Sequence, residues 1–187
     1  YWAGDYKIVN QNGDGVIDLE DRTIIGNPNP DFVYGINFDF SYKNLSLRVL
    51  ANGVYGNDIA NGNLLQLATP EGISWSNITT AAYNNAWRSE RPSNSYPRIG
   101  YTTNGMTAMP DWIIEDGSFL RISSVNLSYQ FDRVSIYLSA QNLFTFTGYS
   151  GYNPEVTSFL YDGLRNGVDW NGQASARKFT IGLNFNL

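Results

Sequence analysis

The sequence contains neither cysteine nor histidine among its 187 residues. The lack of cysteine excludes disulfide bonds and thiol nucleophiles, and the lack of histidine excludes the commonest general base. Thiolate- and imidazole-ligated transition-metal sites cannot form from this chain for the same reason. Any metal site must therefore use oxygen ligands, which suit hard cations such as calcium.

Charged residues are also scarce, at 16% of the chain with a net charge of -5. An acidic balance argues against nucleic acid as a partner. The sequence has no apolar run long enough for a transmembrane helix, and neither a G-x-S-x-G nucleophile motif nor a phosphate loop. We therefore expect no enzyme. The sequence begins at Tyr1 rather than Met and shows no signal peptide, so we expect further residues upstream.

Aromatic residues are abundant, with 13 Tyr and 10 Phe, and five segments alternate apolar and polar residues with the period of a β-strand. The opposite face of each segment carries mostly Asn, Gln, Asp and Ser. The alternating apolar residues are Tyr34, Ile36, Phe38, Phe40 and Tyr42; Leu45, Leu47, Val49, Ala51, Gly53 and Tyr55; Val125, Leu127, Tyr129 and Phe131; Val134, Ile136, Leu138 and Ala140; and Phe179, Ile181, Leu183, Phe185 and Leu187.

Both a membrane barrel and a soluble β-sandwich show such alternation. Tyr34 and Tyr42 bracket an apolar stretch of about 20 Å on one face, which approaches the lipid-facing band of about 25 Å with aromatic girdles. Two-residue turns at 43–44 and 132–133 alternate with long connections at about 57–117 and 146–175, as in bacterial barrels. We predict an all-β fold, a transmembrane antiparallel barrel whose last five or so strands lie in residues 1–187.

Five strands leave two open edges, so the rest of the barrel must lie outside this sequence. With the C-terminus in the periplasm, the long connections and residues 10–21 would all be extracellular. The alternative is a soluble, secreted, calcium-stabilised β-domain for adhesion or carbohydrate binding, in which a second sheet would bury the apolar face.

The segment "NQNGDGVIDLED", residues 10–21, has the spacing of a calcium loop of EF-hand type. Gly15 occupies the sixth position, where the loop turns sharply. Asn10 and Asp21 stand where such loops usually have Asp and Glu, and a metal-free Asx/Gly turn is the alternative. The predicted ligands of a structural calcium ion are Asn10, Asn12, Asp14, the carbonyl of Val16, Asp18 and Asp21.

Four segments together resemble the C-terminal part of the SusC/RagA-type TonB-dependent transporters of the Bacteroidetes outer membrane. They are residues 4–59, which hold the calcium-type loop, a Pro turn and a hairpin; "AWRSERPSNSYPRI" at 86–99; "DGSFLRISSVNLSYQF" at 116–131; and "LSAQNLFTFTGYSGYNPE" at 138–155. The plug domain of the family has no counterpart in this sequence.

The resemblance implies a large outer-membrane barrel with an N-terminal plug. It also implies a SusD-like lipoprotein lid, energy supplied through TonB, and an oligosaccharide or peptide as substrate. TonB would act through the N-terminal part of the protein. The partners of these residues would be the rest of the barrel and plug, the lid, membrane lipid and the substrate.

The roles of several side chains have two interpretations. Asp39 and Arg48 could pair with each other or face a lumen, and residues 147–155 could line the substrate cavity or form a rigid turn that packs against neighbouring loops. Four tryptophans in the predicted outer loops could stack on sugars or pack the loops together: Trp75, Trp87, Trp112 and Trp170.

Overall fold

The computed structural model describes residues 2–68, 77–99, 109–155 and 166–185. Within these ranges, the helices are too short or too polar to span a bilayer. The strands form two sheets, one of five strands and one of three.

The larger sheet is antiparallel throughout, and its strand order is β1-β2-β5-β6-β8. β1 and β2 are joined by a tight turn in which Lys43 has a positive φ of 52°, and β5 and β6 by residues 131–133. Both short turns lie where the sequence predicts them. The strands are β1 (Phe32–Tyr42), β2 (Leu45–Tyr55), β5 (Phe119–Gln130), β6 (Val134–Thr147) and β8 (Lys178–Phe185).

The register places apolar residues opposite one another across the whole width of the larger sheet. One row consists of Phe38, Val49, Val125, Ala140 and Phe179, each paired with the next. Because paired residues point to the same side, the five predicted apolar faces merge into one surface.

β5 and β6 continue beyond the alternation that predicts them, which covers Ser124 to Phe131 and Val134 to Gln141. The β5–β6 register shifts between Ile122 and Ser124, and Asn142 has a positive φ of 52°. Such a bulge changes which residues share a face. Simple alternation therefore stops at the bulge, whereas hydrogen bonding continues past it.

The smaller sheet lies within the long connections and has the order β4-β3-β7. β3 pairs antiparallel with β4 and parallel with β7. It comprises β3 (Asp58–Asn61), β4 (Ile114–Asp116) and β7 (Val168–Asp169). The same connections contain the helices α1 (Gly62–Ala68) and α2 (Thr80–Asn85) and a 3-10 turn at Asp111–Ile113, whereas a further 3-10 turn at Leu19–Asp21 lies before β1.

The most deeply buried side chains of the described residues belong to this smaller sheet and its surroundings. Ile59, Ile113, Asn61 and Asp169 are the largest fully buried side chains. The larger sheet contributes few buried residues, because neither of its faces is covered along most of its length. The packed core therefore lies among the connections at one end of the larger sheet.

Candidate functional site

The apolar face of the larger sheet is exposed, although it consists of large aliphatic and aromatic side chains. Ile181 is 73% exposed and Phe179 is 70% exposed. An uncovered apolar surface of this kind marks contact with another apolar phase or protein. Other exposed members of this face are Ile36, Phe38, Phe40, Tyr42, Leu127, Tyr129, Leu138, Leu183 and Phe185.

The opposite face of the sheet carries hydrogen-bonding and charged side chains. Asp39 and Arg48 are cross-strand neighbours on it, and Arg48 Nε lies 2.5 Å from Asp39 Oδ1. The predicted pairing across the hairpin is therefore confirmed, and the pair lies on the polar face of the sheet. The side chains are 61% and 46% exposed, so water screens the attraction.

Arg121 is the buried charge of this polar face, with only 4% of its surface exposed. Its Nε donates to Thr145 Oγ1 at 2.9 Å, its Nη2 donates to Asn153 Oδ1 at 2.6 Å, and its Nη1 is paired with Glu155. A buried guanidinium needs such partners to offset its lost hydration. Arg121 thus joins the sheet to the segment that follows β6.

Glu155 links that segment to two strands. It accepts from Asn52 Nδ2 of β2 at 3.0 Å in addition to its ion pair with Arg121 of β5. Asn52 also pairs with Ser123 at the bulge. Neither Arg121 nor Glu155 lies in a recognised site motif, although an arginine within the apolar run "FLRIS" is a sequence signal for a paired, inward-facing charge.

A second polar network holds the connections together behind this cluster. The buried Tyr149 hydroxyl donates to Asp169 Oδ2 at 2.6 Å, and burial together with this carboxylate raises the pKa of Tyr149. Glu115 accepts from Asn61 Nδ2 at 2.9 Å and from the Ser150 backbone at 2.7 Å. Residues 149–155 are therefore fixed to the smaller sheet as well as to Arg121.

A cavity of about 220 Å³ lies between this segment and the polar face of β5 and β6. Its walls include Arg121 and Thr145 from the sheet, Tyr152 from the segment, and Arg177 from the residues before β8. Tyr152 is 75% exposed. Residues 147–155 are therefore fixed in place, and part of this segment lines the cavity.

Residues 10–21 form a tight, exposed loop that is closed by its own side chains. Gly13 and Gly15 have positive φ values of 78° and 84°. Asp21 accepts from the backbone N–H of Gln11 at 2.6 Å and of Asp18 at 2.9 Å, which joins the two ends of the loop. Asp18 caps the 3-10 turn that ends it.

Within the loop, the predicted ligand groups of its first half converge. Asn10 Nδ2 donates to Asp14 Oδ1 at 3.3 Å and to the Val16 carbonyl at 3.1 Å, and Asn12 Nδ2 donates to Asp14 Oδ2 at 3.1 Å. A hydrogen bond from the Val16 N–H lowers the pKa of Asp14, which keeps its carboxylate ionised. The Asn10 amide nitrogen contacts two of the oxygens predicted to bind a cation.

The predicted ligands in the second half of the loop, Asp18 and Asp21, make different hydrogen bonds from those in the first half. Both accept from backbone N–H groups at the ends of the loop. Across the described part of the chain, no group of three or more Asp, Glu, His or Cys side chains is arranged to hold a metal ion. A cation here would depend on amide and carbonyl oxygens as well as carboxylates.

The described tryptophans of the connections pack against their neighbours. Trp112 stacks on Tyr6 with ring centroids 5.5 Å apart, and a Cβ on Gly4 would meet the Trp87 ring. Trp170 lies equally close to Gly62. Trp75 lies outside the described residues.

Two curated relatives match nearly the whole chain. TonB-dependent receptor P3 of Formosa agariphila is 32% identical over 97% of this chain, and TonB-dependent receptor SusC of Bacteroides thetaiotaomicron is 30% identical over 94%. The chain spans only 19% and 17% of the lengths of these relatives. No family model matches.

Solved structures with the same fold include those of a peptide importer, RagAB. Its open-open state gives a TM-score of 0.76 at 22% identity, covering 96% of this chain and 20% of the importer chain. Its closed-closed state gives 0.69 at 21% identity, with 91% and 20% covered. At these identities the likeness concerns the fold.

The fold class predicted from the sequence is therefore confirmed: the larger sheet is an antiparallel, unclosed portion of a barrel-type transporter fold. The predicted resemblance to the SusC/RagA-type TonB-dependent transporters is confirmed as well, over a segment of about a fifth of their length.

Proposed function

We propose that these residues form part of the barrel wall and loops of an outer-membrane importer driven through TonB. The observation that carries the proposal is the continuous, exposed apolar face of five strands with a polar face behind it. Lipid on one side and a hydrated lumen on the other would satisfy both faces at once. The TonB-dependent receptors among the relatives support the same function.

The proposed orientation places the smaller sheet, the connections and residues 10–21 outside the cell, and the C-terminus in the periplasm. The two tight turns after β1 and β5 lie at the opposite end of the sheet from the smaller sheet, as short periplasmic turns do in these barrels. The open edges of β1 and β8 would pair with further strands of the same barrel, since unpaired backbone is costly in lipid.

The proposed partners are a SusD-like lipoprotein lid outside the membrane and TonB inside, the latter through a plug that lies elsewhere in the protein. The substrate would be an oligosaccharide or a peptide. RagAB is named as a peptide importer, and SusC is a TonB-dependent receptor, so the comparisons support import of a nutrient fragment. The proposal assigns no catalytic role to these residues.

Uptake by cells tests this function. A strain lacking the gene should fail to accumulate a labelled oligosaccharide or peptide, and the complete gene should restore accumulation only when TonB is present. Recovery of the protein in the soluble fraction, or accumulation independent of TonB, would contradict the proposal.

We also propose that residues 10–21 bind calcium as a structural ion near the lid. The convergence of Asn10, Asp14 and the Val16 carbonyl supports it, and weak sites suffice at extracellular calcium concentrations. Calorimetric titration of the complete, purified transporter with calcium tests it. Lack of any binding at millimolar calcium would rule the site out.

The soluble adhesion or carbohydrate-binding domain is less well supported. That alternative needs a second layer over the apolar face, and none of the described elements covers it, since all eight residues of β8 except one are exposed.

A further inference from the structure

We propose that the cavity between residues 151–154 and the polar face of β5 and β6 is a subsite for a carboxylate group of the imported substrate. The inference rests on the proposed importer function and assigns a chemical preference to one part of it. Its basis is the placement of two arginines and a tyrosine around one small cavity.

Arg121 provides hydrogen-bond donors in a fixed position on one side of the cavity. It uses one N–H at each of its nitrogens for Thr145, Glu155 and Asn153, so each Nη retains a second N–H. Because Arg121 is buried and held by three partners, its position is set before a ligand arrives. Preorganised donors of this kind bind an anion without a further ordering cost.

Arg177 provides a second positive charge, and it forms no ion pair with the acidic residues that the structure describes. Its guanidinium lies 5.9 Å from the centre of the Phe144 ring, and the described acidic residues form ion pairs only with Arg48, Arg98 and Arg121. Glu155 offsets Arg121, so among the described residues that line the cavity Arg177 is the cation without an acidic partner. Arginine suits this role because its planar fork can bind both oxygens of a carboxylate.

The remaining lining residues are uncharged, and several of them carry hydrogen-bonding side chains. Tyr152 is 75% exposed, and its hydroxyl has no hydrogen-bond partner among the residues that the structure describes. Ser175, which accepts from Asn153 Nδ2 at 3.1 Å, and Thr147 also line the cavity. These groups can orient a carboxylate but cannot repel it.

The size of the cavity limits what it can take. At about 220 Å³ it is smaller than the about 300–1,000 Å³ of an ordinary ligand pocket. It therefore suits one end or one residue of a chain-like substrate. A terminal carboxylate of a peptide and the carboxylate of a uronic acid share the required chemistry.

Two pairs of probes separate these sources. The peptide pair is tetra-alanine with a free C-terminus and the same peptide amidated. The sugar pair is trigalacturonic acid and its methyl ester. Binding to the complete transporter with its lid, purified from outer membranes, is measured by calorimetry. We expect one acidic probe to bind about 10-fold or more tightly than its neutral counterpart, the effect of one charge-assisted hydrogen bond.

Arg177→Gln should abolish that preference without weakening the neutral probe, and Arg177→Lys should retain part of it. Arg133→Gln is the matched control, because it removes the same charge from the exposed turn between β5 and β6. Tyr152→Phe should weaken the acidic probe by a smaller factor.

Equal affinity for the acidic and neutral members of both pairs, or absence of binding by all four, would overturn the subsite. Equal losses of affinity for the acidic probe in Arg177→Gln and Arg133→Gln would also overturn it. The same holds if Arg177→Gln weakens binding of the acidic and the neutral probe equally. Uptake by energised cells keeps the two proposals apart. Uptake of neutral probes without any acidic preference refutes the subsite alone, whereas TonB-independent uptake refutes the importer.

Discussion

At the residue scale, Arg121 explains why two separate sequence segments belong together. It lies in "FLRISS" and its partners Asn153 and Glu155 lie in "YNPE", more than thirty positions later. A charged residue in an otherwise apolar run is tolerated on β5 because it faces the polar side and is paired. The sequence shows both segments but not the contact between them.

Arg121→Ala should loosen residues 149–155 and lower the stability of the folded protein by about 1–3 kcal/mol. This loss of stability is smaller than for a fully buried ion pair, because the Glu155 side chain is 39% exposed and water can partly solvate it. The temperature at which the complete protein loses its folded form on unboiled gels measures the loss. Arg48→Ala breaks an exposed ion pair on the same face and should change this temperature little. Equal losses of stability in the two variants would contradict the role assigned to Arg121.

Two glycines of the hairpin should respond differently to alanine. A Cβ on Gly53 would collide with Tyr34 Cζ and with the Phe119 carbonyl, and Tyr34 donates to that carbonyl at 3.0 Å. Gly53→Ala should therefore cost about 1–3 kcal/mol. Gly35→Ala meets nothing closer than 3.9 Å and should cost nothing measurable in the same unfolding assay. Tolerance of both substitutions would show that Tyr34 does not pack as described.

At the element scale, the sequence predicts the strands with clean alternation and misses those without it. β1, β2 and β8 agree closely with their patterns, because each keeps one face apolar throughout. β5 and β6 extend past their predicted ends because the bulge at Ser123 and Asn142 interrupts the period. β3, β4 and β7 have two to four residues each, too few for any period, and depend on contacts distant in sequence.

The loop at 10–21 yields a prediction in which a substitution improves binding. Asn10→Asp adds a charge at the first ligand position and removes the amide nitrogen that contacts Asp14 and Val16. Calcium affinity of the complete transporter should rise about 3- to 10-fold. Without calcium, the loop should be less stable, because two acceptors lose their donor.

The control for this charge is Asn94→Asp, which adds the same charge at an exposed position of another connection and should leave calorimetric affinity unchanged. An Asn10→Asp protein with unchanged or weaker calcium affinity would favour the metal-free Asx/Gly turn. The loop closure by Asp21 would then be its whole function.

At the scale of the whole molecule, the larger sheet is incomplete by itself. Its two outer strands, β1 and β8, each have a neighbour on one side only, and its apolar face has no cover among the described elements. Both features follow if further strands and lipid surround it. The alternation of apolar and polar residues in the sequence indicates that further strands and an apolar environment are required. It does not show the smaller sheet or the polar clusters that position the connections.

The polypeptide that carries this segment in outer membranes should accordingly be several times heavier than 20.9 kDa, since the curated relatives are about five times as long as the matched segment. Mass spectrometry of the intact, membrane-extracted protein measures this. A membrane-bound species of about 20.9 kDa without a co-purifying second fragment would contradict the assignment.

The face of β8 that meets lipid decides whether the larger sheet is part of a membrane barrel wall. Single cysteines introduced from Phe179 to Asn184 of the complete transporter can carry a spin label, whose collisions with oxygen report lipid and with a water-soluble nickel complex report water. If this face lies in lipid, the accessibility of the label should alternate with a period of two residues. Oxygen should be favoured at Phe179, Ile181 and Leu183, and the nickel complex at the positions between them. Nickel access at every position, or no access to either reagent at the apolar positions, would contradict a lipid-facing wall.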